Sequence, residues 1–535
     1  MAQTSSAHAP EGVPDLSHRQ IMTIIAGLIT GMMLAALDQS IVGTALPRIV
    51  SDLGGLNHLA WVVTAYLLTS TAVTPLWGKI SDLYGRRIIF QTAIIIFLIG
   101  SALCGLAQNM PQLIAFRAIQ GIGGGGLMAI AFAIIGDVIP ARERGRYQGY
   151  FGAVFGLSSI AGPLLGGWLT DAVNWRWIFY INLPLGLFAL VITSMALKMP
   201  VVKRNHKIDY LGASVIVAAV TSLLLYLNWA GEHYGWSDPR ALAFIGASAL
   251  LAVAFVFIEI RIASEPIIPM RLFRNPIFSV GNSFSFFVGF AMFGGAIYLP
   301  LFFQAVMGMS PTRSGLAMLP MVAGMFSMSI TSGLLITKTG KYKIFPIVGC
   351  CILIVAMFLL STIQYDTPYW HIALFAFCFG IGLGLAMMTI VTPVQNAIEF
   401  RDMGVATSTI TFVRSLGGAI GVALFGAIMN SRLTTYLSDE LGSQVSALSG
   451  GEINTNDVQA LQTLQEPIRT EVLTAYTHAI TDIYLLSIPI IVVALVVVLF
   501  LKEIPLRTRV PEVANSSTSD DPDVEIDAAM ASMGH

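Results

Sequence analysis

Fourteen runs of mainly apolar residues divide this chain, each near the roughly 20 residues that cross a bilayer as a helix. They lie near 20–46, 58–79, 88–107, 112–136, 147–171, 176–197, 211–229, 241–259, 277–305, 313–337, 343–362, 370–394, 405–429 and 478–501. Backbone inside hydrocarbon must satisfy its own hydrogen bonds, and a helix does so within one segment. The pattern predicts an all-α integral membrane protein with fourteen transmembrane helices. Composition agrees: 11% of residues are charged, against roughly 25% in soluble domains, too few to cover a water-facing surface. A net charge of −1 gives no footing for nucleic acid. Cys104, Cys350, Cys351 and Cys378 all lie in apolar runs, so they read as small hydrophobes and not as a disulfide framework. The polar stretch 1–19 lacks a basic region before a cleavable core, so the first run is expected to be a retained helix.

The loops set the orientation, because Lys and Arg are retained on the cytoplasmic side. With the N-terminus inside, 21 of the 29 Lys and Arg fall in cytoplasmic segments and six in outer loops, leaving Arg117 and Arg414 within spans. A miscounted helix would scramble that asymmetry. The expectation is a multi-pass protein of the plasma (bacterial inner) membrane with both termini cytoplasmic. Residues 430–477 form a long polar outer loop, open to being partly helical and resting at the interface, and 506–535 an acidic, small-residue-rich tail expected to be disordered.

Three landmarks recur at nearly one shift. "GKISDLYGRR" (78–87) is echoed by "GLLITKTGKYK" (333–343), an offset of 255. Gly121 is echoed by Gly380 at 259, and Pro47 by Pro300 at 253. The chain therefore reads as a duplicated six-helix unit: a tail 1–19, a first bundle 20–197, a linker 198–276 with two inserted helices, a second bundle 277–505, and the tail. Duplicated bundles that rock about a central site are a recurrent transporter design.

"RAIQGIGGGG" (117–126) spells the G-x-G-x-x-G of a dinucleotide cradle. A cradle needs a strand, a tight turn and a helix start offering free N–H groups. Here the glycines sit inside an uncharged run from Ala118 to Gly136. Gly121 and Gly125, spaced i, i+4, instead offer small faces for close helix packing. Gly162, Pro163, Gly166 and Gly167 in "GLSSIAGPLLGG" read alike, with Pro163 breaking one backbone bond.

The stretches "LDQSIVGTALP" (37–47), "GKISDLYGRR", "RAIQGIGGGG", "GLSSIAGPLLGGWLT" (156–170), "NWRWIFYINLPLG" (174–186) and "YLPLFFQ" (298–304) occur in order. Together they resemble the major facilitator superfamily, in its 14-helix drug:proton antiporter branch of the EmrB/QacA type. The resemblance covers about residues 20–505. It implies that the 156–170 motif marks exporters and helps seal the halves.

Asp38 is the one acid well inside a span, where an aspartate costs about 2.5–3.5 kcal/mol, and such a residue is usually functional. Counting helical rise from Pro47 and Pro111 puts Asp38 about 13 Å and Arg117 about 9 Å from the outer side, so the two can meet. The resemblance implies that Asp38 takes part in proton coupling and that Arg117 tunes it; a static ion pair is the alternative. It further implies that Gly78, Asp82, Gly85, Arg86 and Arg87 form an inner gate. There Asp82 would latch the second half at the start of the thirteenth helix, with Arg142, Arg144 and Arg146 joining. The second-half copy has no aspartate, so the latch is expected to be asymmetric. Tyr66, Gln120, Gln304, Gln395, Asn396 and Arg414 are the candidate lining of a substrate cavity.

The function expected is proton-coupled export of hydrophobic or amphipathic compounds by alternating access, as in multidrug efflux and antibiotic resistance. With a single membrane carboxylate, neutral or monocationic substrates are favoured over dications. The alternatives are a dedicated exporter of an endogenous antibiotic, siderophore or lipid, and a non-transporting membrane sensor. No Walker sequence, nucleophile set or metal-ligand spacing occurs, so no enzyme activity, metal or cofactor is expected beyond a proton gradient. The expected partners are the bilayer, protons and small amphipathic molecules acting on a monomer.

Overall fold

The computed structural model describes residues 18–53, 59–140, 143–196, 209–229, 235–387, 389–399, 402–441, 466 and 468–507. Its regular elements, among the described residues, are all helical. The first half holds α1 (His18–Leu53), α2 (Leu59–Tyr84), α3 (Arg86–Leu106), α4 (Met110–Val138), α5 (Arg144–Ala172), α6 (Trp177–Tyr180) and α7 (Asn182–Ala196). Next come α8 (Tyr210–Trp229), α9 (Pro239–Arg261) and a 3-10 turn at Met270–Arg274. Then follow α10 (Pro276–Ala305), α11 (Pro311–Ala317), α12 (Leu319–Thr339), α13 (Ile344–Leu360), α14 (Tyr369–Met387), α15 (Val391–Ala397), α16 (Met403–Leu441) and α17 (Ile468–Leu499). Eleven described stretches are long and apolar enough to cross a membrane, and α13 is a shorter apolar helix. With α2 and α5, of 26 and 29 residues, the expected fourteen spans are compatible with the structure.

Where one span is built from two helices, a proline sits in the first turn of the second piece: Pro184 in α7, Pro320 in α12 and Pro393 in α15. Proline lacks the N–H that a first turn leaves unpaired anyway, so it starts a helix more readily than it continues one. Helix α4 starts equally legibly: Asn109 caps it by accepting from the Gln112 N–H, and Pro111 follows. Part of the polar 430–477 stretch is helical, as the sequence reading allowed: α16 continues to Leu441 and α17 begins at Ile468. The tail beyond residue 507 lies outside the described residues.

In the first half α1 packs on α5 and α7, and α4 lies between α2 and α3. In the second, α12 and α13 pack on α14, while α16 lies against α10 and α17. Across the halves α5 meets α12, and α16 meets α2 and α4. The inserted α8 and α9 pair with each other, and α8 leans on α2 and α16. The largest buried cluster draws only on residues 272–506 and the next only on 21–196. Leu250, Phe257, Trp370 and Phe500 stay exposed on the outer faces, as a lipid-facing surface requires.

The glycines of α4 lie within continuous helix, so their N–H groups are not arranged as a phosphate cradle. A Cβ on Gly121 would strike the Tyr66 carbonyl, and one on Gly125 the Ser70 carbonyl. In the second half, Gly380 and Gly384 of α14 meet the Met321 and Met325 carbonyls of α12 in the same way. The glycines are offset by 259 and their partners by 255, the shifts seen in the sequence repeat. Small residues allow backbones to touch where hydrophobic drive is absent. Gly125→Val should therefore push α2 off α4 and destabilise the protein by about 1–3 kcal/mol. A thermal-unfolding series in detergent, with exposed Leu250→Ala as the unaffected control, checks this.

Candidate functional site

Asp38 on α1 and Arg117 on α4 are 0% and 1% exposed. Arg117 Nη1 lies 2.5 Å from Asp38 Oδ2. Burying two charges costs more than their attraction returns unless further hydrogen bonds complete the site. Here they do. Gln120 Nε2 and Asn182 Nδ2 donate to Asp38 Oδ1 at 2.8 and 3.1 Å. Arg117 donates through Nη1 to Gln120 Oε1 at 2.8 Å and through Nε to the Val62 carbonyl at 3.1 Å. Its guanidinium lies 4.4 Å from the centre of the Tyr66 ring, a cation–π contact. Asn182 also donates to Ser101, which donates to the Phe179 carbonyl. Five helices, α1, α2, α3, α4 and α7, thus converge on one carboxylate.

Asn182 and Ser101 had not been singled out. Asn182 stands in "NWRWIFYINLPLG", quoted above without a role, whereas nothing distinguished Ser101. Tyr66 and Gln120, assigned above to a substrate cavity, belong to this ion-pair site instead. Both face α4 and α1 neighbours at nearly zero exposure, a position that helical periodicity alone does not give.

A second cluster occupies the end of the bundle where the basic residues gather. Gly85, at φ 94°, ends α2 in the left-handed region and starts α3. Arg86 pairs with Asp82 at 2.5 Å and with Asp137 of α4 at 2.6 Å, and reaches Ser81 Oγ at 2.6 Å. Asp82 Oδ2 accepts from the Val405 N–H at 3.0 Å. Val405 lies in the first turn of α16, where unpaired N–H groups and the helix dipole favour an anion. Gly78 and Gly404 allow this approach: a Cβ on the first would strike Ser408, and on the second Asp82 and Arg86. Arg87 has no ion pair among the described residues, so Arg86 alone enters the cluster. Asp137 escaped the sequence reading because the fourth span was ended at residue 136.

Arg144 makes no ion pair with these acids among the described residues. It donates to the Ile139 and Gly136 carbonyls and, at 3.2 Å, to Gln395 Oε1 of α15. Gln395 Nε2 reaches the Phe132 carbonyl and Thr407 Oγ1, each at 3.1 Å. It is therefore a tie between the halves at the basic end and not a cavity residue. Asn396 is corrected likewise: it donates to the Pro505 carbonyl and accepts from the Arg507 N–H, fastening the strap after α17. Gln304 bonds Ser314 at 3.4 Å, joining α10 to α11. Arg142 lies outside the described residues, as does the side chain of Arg146. In α5, Gly162 packs on Ser40, whose hydroxyl donates to the Ser158 carbonyl at 2.7 Å. Pro163 lies near Gly315 of α11, and Gly166 is buried. Gly167 is not a close crossing, since an added Cβ would meet only Thr312 Oγ1 at 4.0 Å. Arg414 is half-buried on α16, with Nη1 sealed from solvent and lacking a hydrogen-bond partner. Among the described residues no His, Cys, Asp or Glu group could hold a metal ion.

Residues 28–422 match the family model described as Major Facilitator Superfamily. The chain belongs to that family. It is a membrane transporter and not an enzyme. The multidrug transporter protein MdtP of Bacillus subtilis is 38% identical over 513 residues, covering 91% of this chain and 94% of its own. An uncharacterized MFS-type transporter of Mycobacterium tuberculosis is 40% identical over 500 residues, covering 92% and 71% respectively. Efflux pump FUS6 of Gibberella fujikuroi is 31% identical over 519 residues, covering 94% and 93%. The proton:xylose symporter XylE shares the fold, with a TM-score of 0.57 at 14% identity over 91% of this chain and 97% of that one.

Two outcomes follow from this geometry. Arg117→Gln leaves a buried carboxylate without its cation and should destabilise the protein by about 3–5 kcal/mol. The Asp38→Asn/Arg117→Gln double variant should recover about 1–3 kcal/mol of that loss, as chemical unfolding in detergent would show. Asp82→Asn should loosen the basic end. A neutral amide is a weaker acceptor than the carboxylate, whose charged hydrogen bond is worth about 1.5–3 kcal/mol, so maleimide labelling of a Ser408→Cys reporter should rise several-fold.

Proposed function

We propose that this transporter exports amphipathic small molecules in exchange for protons, by alternating access. The observation that carries the reading is the Asp38 carboxylate, wholly buried and balanced by one arginine and two neutral amides. Protonation removes the charge that Arg117 answers, freeing Nη1 and the Gln120 amide to seek other acceptors. One proton then changes the contacts of α1, α4 and α7 together, which is what coupling a gradient to a helix movement requires.

Direction follows from the basic end. Taking the Lys and Arg excess as cytoplasmic, the Asp82–Val405 and Arg144–Gln395 contacts close the inner side in this arrangement. The moving parts are the bundles 20–197 and 277–505, with α8 and α9 inserted between them. A relative named as a multidrug transporter, similar over nearly its whole length, supports outward export of drug-like compounds across a plasma membrane. No cofactor enters the scheme, because the proton gradient drives it.

The test is uncoupler-sensitive transport of a neutral fluorescent amphiphile into everted vesicles. Asp38→Asn should reduce it to background while the protein, though destabilised by the uncompensated Arg117, still inserts and stays folded at the assay temperature. Proton-driven transport at the wild-type rate by that variant refutes the coupling role.

A further inference from the structure

We infer that the seam between α10 and α16 holds a subsite for an anionic group of the transported molecule, a carboxylate, sulfonate or phenolate, with Arg414 as its cation. The inference rests on the export reading above and adds the substrate's chemical class.

Arg414 lies eleven residues into α16, about 16 Å along it, at mid-membrane depth. The other arginine inside a span, Arg117, has a carboxylate, an amide and a carbonyl for its N–H groups. Arg414 has no ion pair among the described residues, and its Nη1 is buried without a hydrogen-bond partner. A charge in that position is normally paired or turned toward an aqueous path.

The facing helix carries further unmet groups. Asn282 and Ser285 of α10 are 3% and 2% exposed, and Asn282 Oδ1 and Ser285 Oγ lack partners. At a helical turn of about 100° per residue, positions 282, 285 and 289 fall within about 60° of one another. Gly289 marks where that stripe meets α16: an added Cβ there would strike the Arg414 carbonyl and lie 3.1 Å from its Cγ. Both helices start at the same end, since Arg271 pairs with Asp402 and Asn275 with the Ala397 carbonyl just before them. Helical side chains lean toward the helix start, so Arg414 leans toward the level of Ser285 and Asn282.

The donor set decides the ligand. A guanidinium and a hydroxyl offer hydrogens, and one amide oxygen accepts. A carboxylate or sulfonate takes both donors and cancels the charge. Water would meet the hydrogen bonds and leave the charge. An organic cation would meet a like charge that has no acid paired to it among the described residues.

Equilibrium binding to protein in nanodiscs, with empty nanodiscs subtracted, tests this with a matched pair: 1-anilinonaphthalene-8-sulfonate and its uncharged parent N-phenyl-1-naphthylamine. Arg414→Gln should weaken the sulfonate about tenfold or more, and the neutral dye by less than about twofold, as for loss of a charge-assisted hydrogen bond. Arg414→Lys should retain most sulfonate affinity, and Ser285→Ala should lose a few-fold. These two keep the test open if Arg414→Gln does not fold. Equal losses for both dyes, no loss for either, or a wild type that does not bind the sulfonate overturns the subsite. Uncoupler-sensitive transport of the neutral dye by wild type and Asp38→Asn, run alongside, decides the export reading separately.

Discussion

Neither Asp38 nor Arg117 can be charged alone where it sits, and that mutual requirement organises the first half of the molecule. A lone ion at such depth costs several kcal/mol even after relaxation. Each must therefore be held within hydrogen-bond reach of the other, and the supporting amides must come from whichever helices can be brought close. Gln120 lies one turn from Arg117 on α4, Asn182 opens α7, and Ser101 on α3 steadies Asn182. The glycine-rich face of α4 permits this convergence, because backbone contact with α2 at Tyr66 and Ser70 leaves no room for side chains. Packing and charge are here one constraint: a looser α4 would withdraw the cation from its carboxylate.

Helix α4 also joins the ion pair to the lock at the basic end. Arg117 stands near its start and Asp137 at its finish, about 30 Å apart at the helical rise. Asp137 holds Arg86, Arg86 holds Asp82, and Asp82 holds the first turn of α16 in the other half. A shift of α4 that relieved the pair would therefore strain the lock. In the proposed export cycle this is the physical form of coupling: one helix with a partner at each end, only one of which changes charge.

The architecture was legible because apolar run length, proline placement and basic loops each report on a local constraint. Pro184, Pro320 and Pro393 mark where spans break, and the 255 and 259 offsets mark which helices touch alike. Site membership was less legible because periodicity gives a residue's face and not its neighbour. Tyr66 and Gln120 were correctly placed in the interior but assigned to a cavity, when each turns toward Arg117. Gln395 and Asn396, just past the span drawn to 394, were read as cavity lining. At the basic end their partners come from α4, α5 and the strap at 505–507. That strap has no periodicity, so no sequence pattern could have announced it. Asp137 was lost to a boundary drawn one residue short.

The two halves share a packing scheme and differ in charge. Gly121 and Gly125 against α2, and Gly380 and Gly384 against α12, are the same contact made twice. The acids of the ion pair and of the lock, Asp38, Asp82 and Asp137, all lie in the first half, and the second contributes the Val405 N–H at the lock and Arg414, which has no ion pair among the described residues. Helix packing depends on small residues at fixed spacing and tolerates no substitution of shape, so a repeat retains it. Charge depends on single residues whose neighbours must match, and each half can hold a different set. A first half that balances its own charge can carry a proton site, while a second half with an uncompensated cation has charge to offer something that arrives from outside.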